Sequence, residues 1–176
     1  MDVHIREENP NDHKAVFRLV EDAFQNEIHS DHKEQFLVEK LRNSPAFIPE
    51  LSLVAESNGE IAGYILLTQI RISSATEQHT ALALAPVAVL QKYQNHGIGS
   101  LLINEAHKRA KKLGYKAVVV LGHEHYYPRF GYKRADSYNI SLSFEVPPEN
   151  VMALELFPDA LKGVNGIVLY DPFFYE

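Results

Sequence analysis

The 176-residue sequence contains no cysteine. That excludes a disulfide framework, a thiolate zinc site and a thiol nucleophile, and by itself leaves the compartment undetermined. Long apolar runs are also missing. The longest, Ala81 to Leu90, has ten residues and is broken by Pro86, whereas a membrane-spanning helix needs about 20. Basic charge is in deficit: 17 Lys and Arg face 23 Asp and Glu, for a net charge of −6 and a pI near 5.8. A general binder of nucleic acid or anionic membrane carries the opposite balance, so neither partner is expected. No Gly/Ser linker, internal repeat or low-complexity tract divides the chain, and residues 1–176 read as one domain. The charged, alternating start from Met1 to Glu7 reads as having no signal or transit sequence, and the expectation is a soluble cytoplasmic protein.

What is present is ordinary globular composition, 45% hydrophobic and 23% charged, which rules out disorder for the bulk of the chain. Val3 and Ile5 alternate with His4 and Arg6 as a short strand. Asn11 or Asp12 can then cap a helix carrying Val16, Phe17, Leu19, Val20, Ala23 and Phe24. A second helix is expected from about Lys33 to Asn43, with Phe36, Leu37 and Leu41 inward. Leu51–Glu56 and Ile61–Ile70 read as strands joined through Asn58-Gly59, a hairpin turn in which both residues tolerate positive φ. Ala81–Leu90 reads as another strand. Pro86 cannot donate to a ladder and must sit at an edge or a bulge.

Ile98, Leu101, Leu102, Ala106, Ala110 and Leu113 then recur at helical spacing, and Gly114 ends the helix. Ala117–Leu121 is a continuous apolar run suited to a strand covered on both faces. Strand, helix and strand in that order make a parallel crossover unit. Ile140 to Val146 alternates, and Ile167–Tyr170 reads as a last strand. The fold class is α/β or α+β: a mostly antiparallel sheet with one parallel β-α-β crossover in its centre.

The segment from Val87 to Ser100 runs from a strand, through Gln94-Asn95-His96-Gly97-Ile98-Gly99, into the most regular helix. A helix N-terminus offers unpaired amides and a positive dipole end, and glycine lets a ligand approach the backbone; together these make a phosphate cradle. The simpler reading is that the glycines only permit a tight turn. A dinucleotide fingerprint needs a third glycine where Leu102 stands, and an ATP-type P-loop needs Gly-Lys-Ser/Thr where Gly99-Ser100-Leu101 stands. Five basic residues against Glu105 alone, between Gln91 and Lys112, mainly complement the negative end of the helix dipole.

With Val87 and Val89 before it and an amphipathic helix after it, Gln94-x-x-Gly97-x-Gly99 resembles the acetyl-CoA motif of the GNAT superfamily of N-acetyltransferases. Leu121 to Tyr132, with its Tyr-Tyr-Pro-Arg-Phe-Gly run, and the tail around Leu154–Leu156 and Leu161–Gly166 resemble the YhbS-like branch. Gln91 stands where many members have proline. The resemblance implies a GNAT fold with a split between the two central strands and helices on both faces of the sheet. It implies acetyl-CoA as acyl-donor cosubstrate, its pyrophosphate on the amides of Gln94, Asn95, His96, Gly97, Ile98, Gly99 and Ser100. Its pantetheine arm would lie on Val87 and Val89, and the amide of Val87 or Ala88 would serve the oxyanion. A local backbone irregularity is expected around Pro86.

By the same resemblance Tyr127 is the general acid that meets the departing thiolate, a phenol near 10 against a thiol near 8.5. The alternative is a half-buried aromatic, Tyr126 or Tyr127, with a satisfied hydroxyl. His123 is the first choice for the base, with Glu27, His29, Asp31, His32, Glu34 and Glu124 as competitors on polar loops. Neither His123-x-His125 nor His29 with His32 is a zinc pattern, so no metal is expected. No nucleophile-elbow signature supports a hydrolase. The expected activity is acetyl transfer to a primary amine of a small molecule or peptide. The alternative is a non-catalytic acyl-CoA-binding sensor or regulatory module. The aromatic end, Tyr170 to Tyr175, offers a surface for a homodimer or for the chain's own sheet.

Overall fold

Nine strands in one sheet organise residues 1–175, which this computed structural model describes. In chain order the elements are β1 (His4–Glu7), α1 (His13–Phe24), α2 (Glu34–Arg42), β2 (Ser52–Ser57), β3 (Glu60–Ser73) and β4 (Gln78–Val89). They continue with α3 (Ile98–Lys112), β5 (Ala117–Leu121), β6 (Lys133–Arg134), β7 (Ile140–Leu142), β8 (Val151–Glu155) and β9 (Gly166–Leu169). The strand order is β1-β2-β3-β4-β5-β8-β6, with β9 on the far end of β3 and β7 on β9. The β4–β5 pair is parallel, joined through α3, as the crossover reading requires. A second parallel pair, β7–β9, was not foreseen.

Alternation along the strands builds one core against α3 and two on the opposite face, one of them under α1 and α2. Leu53, Ile65, Leu67, Leu82, Leu84, Val118 and Val120 close on Ile98, Leu102, Ala106 and Ala110 of α3. On the other face Val54, Tyr64, Leu66 and Ala88 meet α1 and α2. A bulge keeps β4 in this scheme. Leu67 pairs with Leu84 and Ile65 with Val87, so Ala85 and Pro86 together stand opposite Leu66. One extra residue flips the parity of everything after it. Ala81 and Ala83 therefore share a face with Ala88, and Val87 and Val89 turn toward α3. Pro86 sits in the bulge, with a cis Ala85–Pro86 peptide.

Several local expectations are corrected. Asp12 holds the N-cap position of α1 but its side chain makes no bond there; it accepts from the Asn9 amide at 2.8 Å, and Asn9, accepting from the Asn11 amide at 3.0 Å, caps the short turn before the helix. The inward face of α2 is Gln35, Val38 and Leu41, and Phe36 is 47% exposed, its ring edge-on to Phe17 at 5.3 Å. Leu101 and Leu113 of α3 are exposed, and Ile103 takes an inward place. The alternation from Ile140 stops at Leu142, and Phe144 is 40% exposed. At the aromatic end Phe173 and Phe174 pack on the α1–α2 core, Phe174 stacks on Tyr170 at 4.2 Å, and Tyr175 is 55% exposed. No helix among the described residues is long and apolar enough to cross a membrane.

Below α2, a buried polar chain fixes β3 beside the point where β4 bulges. The Tyr64 and Ser52 hydroxyls lie 2.7 Å apart, Ser52 donates to Glu8 at 2.7 Å, and Arg42 donates to both Glu8 oxygens at 2.8 and 2.9 Å. The Glu8 side chain is 3% exposed and that of Arg42 11%. Removing one partner strands a buried charge. Arg42→Met is expected to destabilise by about 3 kcal/mol in urea unfolding, and Glu8→Gln with Arg42→Met by less than Arg42→Met alone.

Candidate active site

The loop between β4 and α3 is tied down on three sides. The Gln91 amide donates to the Asp22 carboxylate at 3.0 Å, and its side chain donates to the Asp22 carbonyl at 2.8 Å. A proline there could not make the first of these bonds. Tyr93 donates to Glu60 at 2.7 Å, and Lys92 lies 2.7 Å from the same carboxylate. The Gln94 side chain reaches back to the Val89 carbonyl at 3.0 Å.

After Gln94 the backbone turns twice through left-handed conformations, at Asn95 (φ 66) and Gly97 (φ 83). Helix α3 starts at once, with no side-chain cap on Gly97. The first helical bond is Leu101 to Gly97, at 3.1 Å. Among the described residues, the amides of Asn95, His96, Gly97, Ile98, Gly99 and Ser100 have no hydrogen-bond partner. Six unpaired donors at the positive end of a 15-residue helix form an anion cradle. The Gln94 amide is not one of them, because it donates to Gln91 at 3.2 Å. Gln94 shapes the loop instead of offering its own amide. Gly63 lets the helix start this close to the sheet: a Cβ there would lie 2.9 Å from both Ile98 and Leu102.

Beside this cradle the central ladder opens. β4 and β5 pair only through Leu82–Val118, Ala83–Val119 and Leu84–Val120. β4 runs on to Val89, while β5 continues alongside β8 to the Leu121–Val151 pair. The Leu90 amide bonds to Ala62 at 2.9 Å, which fixes the antiparallel alternation with β3. Leu90 and Ala88 face β3, so the amides and carbonyls of Val87 and Val89 face the gap. Of the two oxyanion candidates, the Val87 amide points to the open edge and that of Ala88 is spent on the ladder. The irregularity expected at Pro86 is the bulge that begins this stretch.

Tyr127 opens the short turn Tyr127–Phe130 that follows β5 and packs into the core under α3. It is 7% exposed, and its ring meets Tyr126 at 5.1 Å, Tyr132 at 5.5 Å and Phe130 at 6.5 Å. Its hydroxyl has no partner among the described residues and is not sealed from solvent. Burial pushes the phenol well above its usual 10. The near match to a thiol near 8.5 that an unperturbed phenol would offer is therefore lost. The Tyr126 hydroxyl lies against the first turn of α3, 3.2 Å from where a Cβ on Gly99 would be. Arg129 covers the Tyr126 ring at 4.6 Å and donates to its carbonyl at 2.9 Å. That cation beside the cradle escaped the sequence reading, although Arg129 stands in the quoted Tyr-Tyr-Pro-Arg run.

The base candidates do not converge. His123 is exposed at the start of the turn that carries Tyr127, and its carbonyl accepts from Tyr126 at 3.1 Å. Glu27, His29, Asp31 and His32 are exposed. Glu34 differs: one carboxylate oxygen takes the Ser30 hydroxyl, and the other is buried with no partner. His125 pairs with Glu124 at 3.4 Å. A half-buried titratable group, His107, stands outside the predicted site residues. His107 of α3 bonds through Nε2 to the Tyr132 hydroxyl at 2.8 Å, and burial pulls its pKa down to about 4.

The chain matches the model of the Acetyltransferase (GNAT) family over residues 14–132. It is 30% identical over 171 residues to the N-acetyltransferase YhbS of Escherichia coli strain K12, covering 97% of each chain. To the N-acetyltransferase YjhQ of the same organism it is 37% identical over 101 residues, 57% of this chain and 56% of that one. Its structure resembles the crystal structure of Escherichia coli YhbS in complex with CoA, with a TM-score of 0.86 and 28% identity over 99% of this chain and 92% of that one. It also resembles a GNAT family acetyltransferase from Brucella melitensis in complex with acetyl-CoA, with a TM-score of 0.80 and 31% identity over 98% of each chain.

The buried histidine gives a pH test of this packing. With its folded pKa lowered to about 4 from about 6.5 when unfolded, His107 binds its proton less readily in the folded state. Its contribution is complete above pH 6.5 and is lost as pH falls toward 4, by about 3 kcal/mol in all. In urea unfolding between pH 4 and 7, His107→Gln is expected to flatten this slope.

Proposed function

This chain belongs to the GNAT family of N-acetyltransferases, and on that premise we propose that it moves the acetyl group of acetyl-CoA to a primary amine by direct attack. The observation that carries the reading is the juxtaposition of six unpaired amides with a strand edge that β5 leaves open at Val87 and Val89, where the Gln94 side chain holds the Val89 carbonyl. The donor set fits a diphosphate followed by an amide-bearing arm. Amides from Asn95 to Ser100 would hold the pyrophosphate, and Val87 and Val89 would pair with the arm as a missing strand would. Gln94 would act by keeping the loop in shape, and Ala88 by holding β4 on β3.

In the transfer a carbon–nitrogen bond forms and the carbon–sulfur bond breaks. The Val87 amide would donate to the charge that develops on the carbonyl oxygen. The Tyr127 hydroxyl would donate a hydrogen bond to the leaving sulfur, whose charge the proton from the amine finally offsets. For that proton His123 is the proposed acceptor, at the head of the Tyr127 turn. Glu34 is a second reading, favoured by its buried, unpartnered oxygen. A small molecule or peptide would supply the amine. One domain, a cytoplasmic setting and a homodimeric state belong to the same proposal.

Free-thiol release from acetyl-CoA across a panel of primary amines tests the activity. Tyr127→Phe is expected to lower kcat by about 10- to 100-fold with little change in KM for acetyl-CoA. Stabilisation by CoA without turnover on any amine would favour the sensor reading. Asp22→Ala frees the Gln91 amide and is expected to weaken CoA binding by about 3- to 10-fold in calorimetric titration, since a loosened loop must be ordered on binding.

A further inference from the structure

We propose that His107 and Tyr132 are positioning residues that hold the Tyr127 ring, and with it the hydroxyl, in a single orientation. The inference rests on Tyr127 as the donor to the leaving sulfur.

Tyr127 has no hydrogen bond of its own among the described residues to fix it, so its aim depends on what surrounds the ring. Gly122 forms one wall: a Cβ there would come 2.4 Å from Tyr127 Cε2, so no larger residue fits without moving the ring. The Gly122 amide is itself tied to the Asn150 carbonyl at 2.9 Å. Tyr126 and Phe130 form the side of the stack toward the cradle. Tyr132 forms another wall, edge-on at 5.5 Å with an interplanar angle of 72°.

Edge-to-face contacts are individually weak. A wall of that kind holds direction only if it cannot itself slide. Tyr132 is 2% exposed, and its hydroxyl is fixed by His107 at 2.8 Å. His107 in turn stands on the same helix, α3, whose N-terminus forms the cradle. Burial keeps His107 neutral and Tyr132 protonated, so the bond between them is neutral and retains its geometry at physiological pH. A continuous chain of contacts thus runs from the helix that would hold the diphosphate to the tyrosine that would meet the sulfur.

Tyr132→Phe keeps the ring and removes only the hydroxyl, and His107→Gln keeps a hydrogen-bonding group near the same place. With acetyl-CoA and the best acceptor from the amine panel, Tyr132→Phe is expected to lower kcat by about 3- to 10-fold without raising KM for acetyl-CoA. His107→Gln is expected to cost less than His107→Leu. In a Tyr127→Phe background, Tyr132→Phe should cost nothing further, because the group it aims is gone. Equal losses in both backgrounds, or no loss in either, would overturn the proposal while leaving Tyr127 as donor intact. No loss from Tyr127→Phe alone would overturn both. A readout independent of any acceptor is the fluorine resonance of 3-fluorotyrosine placed at Tyr127. Tyr132→Phe and His107→Gln should each shift or broaden it, and an unchanged resonance would also overturn the positioning role.

Discussion

Backbone amides and carbonyls inside a protein must find partners, and in this chain the β4–β5 ladder stops supplying them after three residue pairs. Most of what surrounds the central strands follows from that interruption. The two-residue bulge at Ala85 and Pro86 marks its start, and the parity it reverses turns the backbone of Val87 and Val89 to the open edge. Helix α3 begins where β4 ends, so the unpaired strand edge and the unpaired helix amides adjoin. Asn95, His96 and Gly97 are exposed, so water can serve these donors, and a ligand carrying acceptors along an extended chain matches their arrangement.

The surrounding contacts hold this arrangement open. Asp22 of α1 and Glu60 at the start of β3 grip the loop at Gln91, Lys92 and Tyr93, so a helix and the sheet itself define one turn. Gln91 is instructive because proline would stiffen the loop through its own ring. Here stiffness comes from two hydrogen bonds to α1, which makes the loop dependent on the docking of that helix. On the other side of the gap, Gly122 and the aromatic group around Tyr127 serve β5 in the same way.

Local sequence carried the fold well wherever one residue type decided the backbone. Asn58-Gly59 set the hairpin, Pro86 required an edge or a bulge and sits in a bulge, and Gly97 with the α3 periodicity placed the helix start. The reading was weaker where burial, not pattern, decides. Phe36 looks like a core residue in a helical period, yet α2 meets α1 along Gln35, Val38 and Leu41, which leaves it half exposed. Val151–Glu155, a strand paired on both edges, was recognised only as part of a family-like tail. In the site, the motif located the cradle but assigned it the Gln94 amide, which a turn to Gln91 had already used. The pKa of Tyr127 was equally illegible, since it depends on ring packing from Tyr126 to Tyr132. His107 passed as one more polar residue of α3, because its partner Tyr132 is 25 residues away in sequence.

The central claim is that one ligand completes both the α3 amides and the open edge of β4. Backbone amide resonances followed by NMR during a titration with CoA test it directly. The account predicts that the amides of Gly97, Ile98, Gly99 and Ser100 and those of Val87 and Val89 shift together, with one dissociation constant, while Ala88 and Gln94 stay protected throughout. Shifts confined to other surfaces, or a helix terminus that responds while Val87 and Val89 do not, would contradict it.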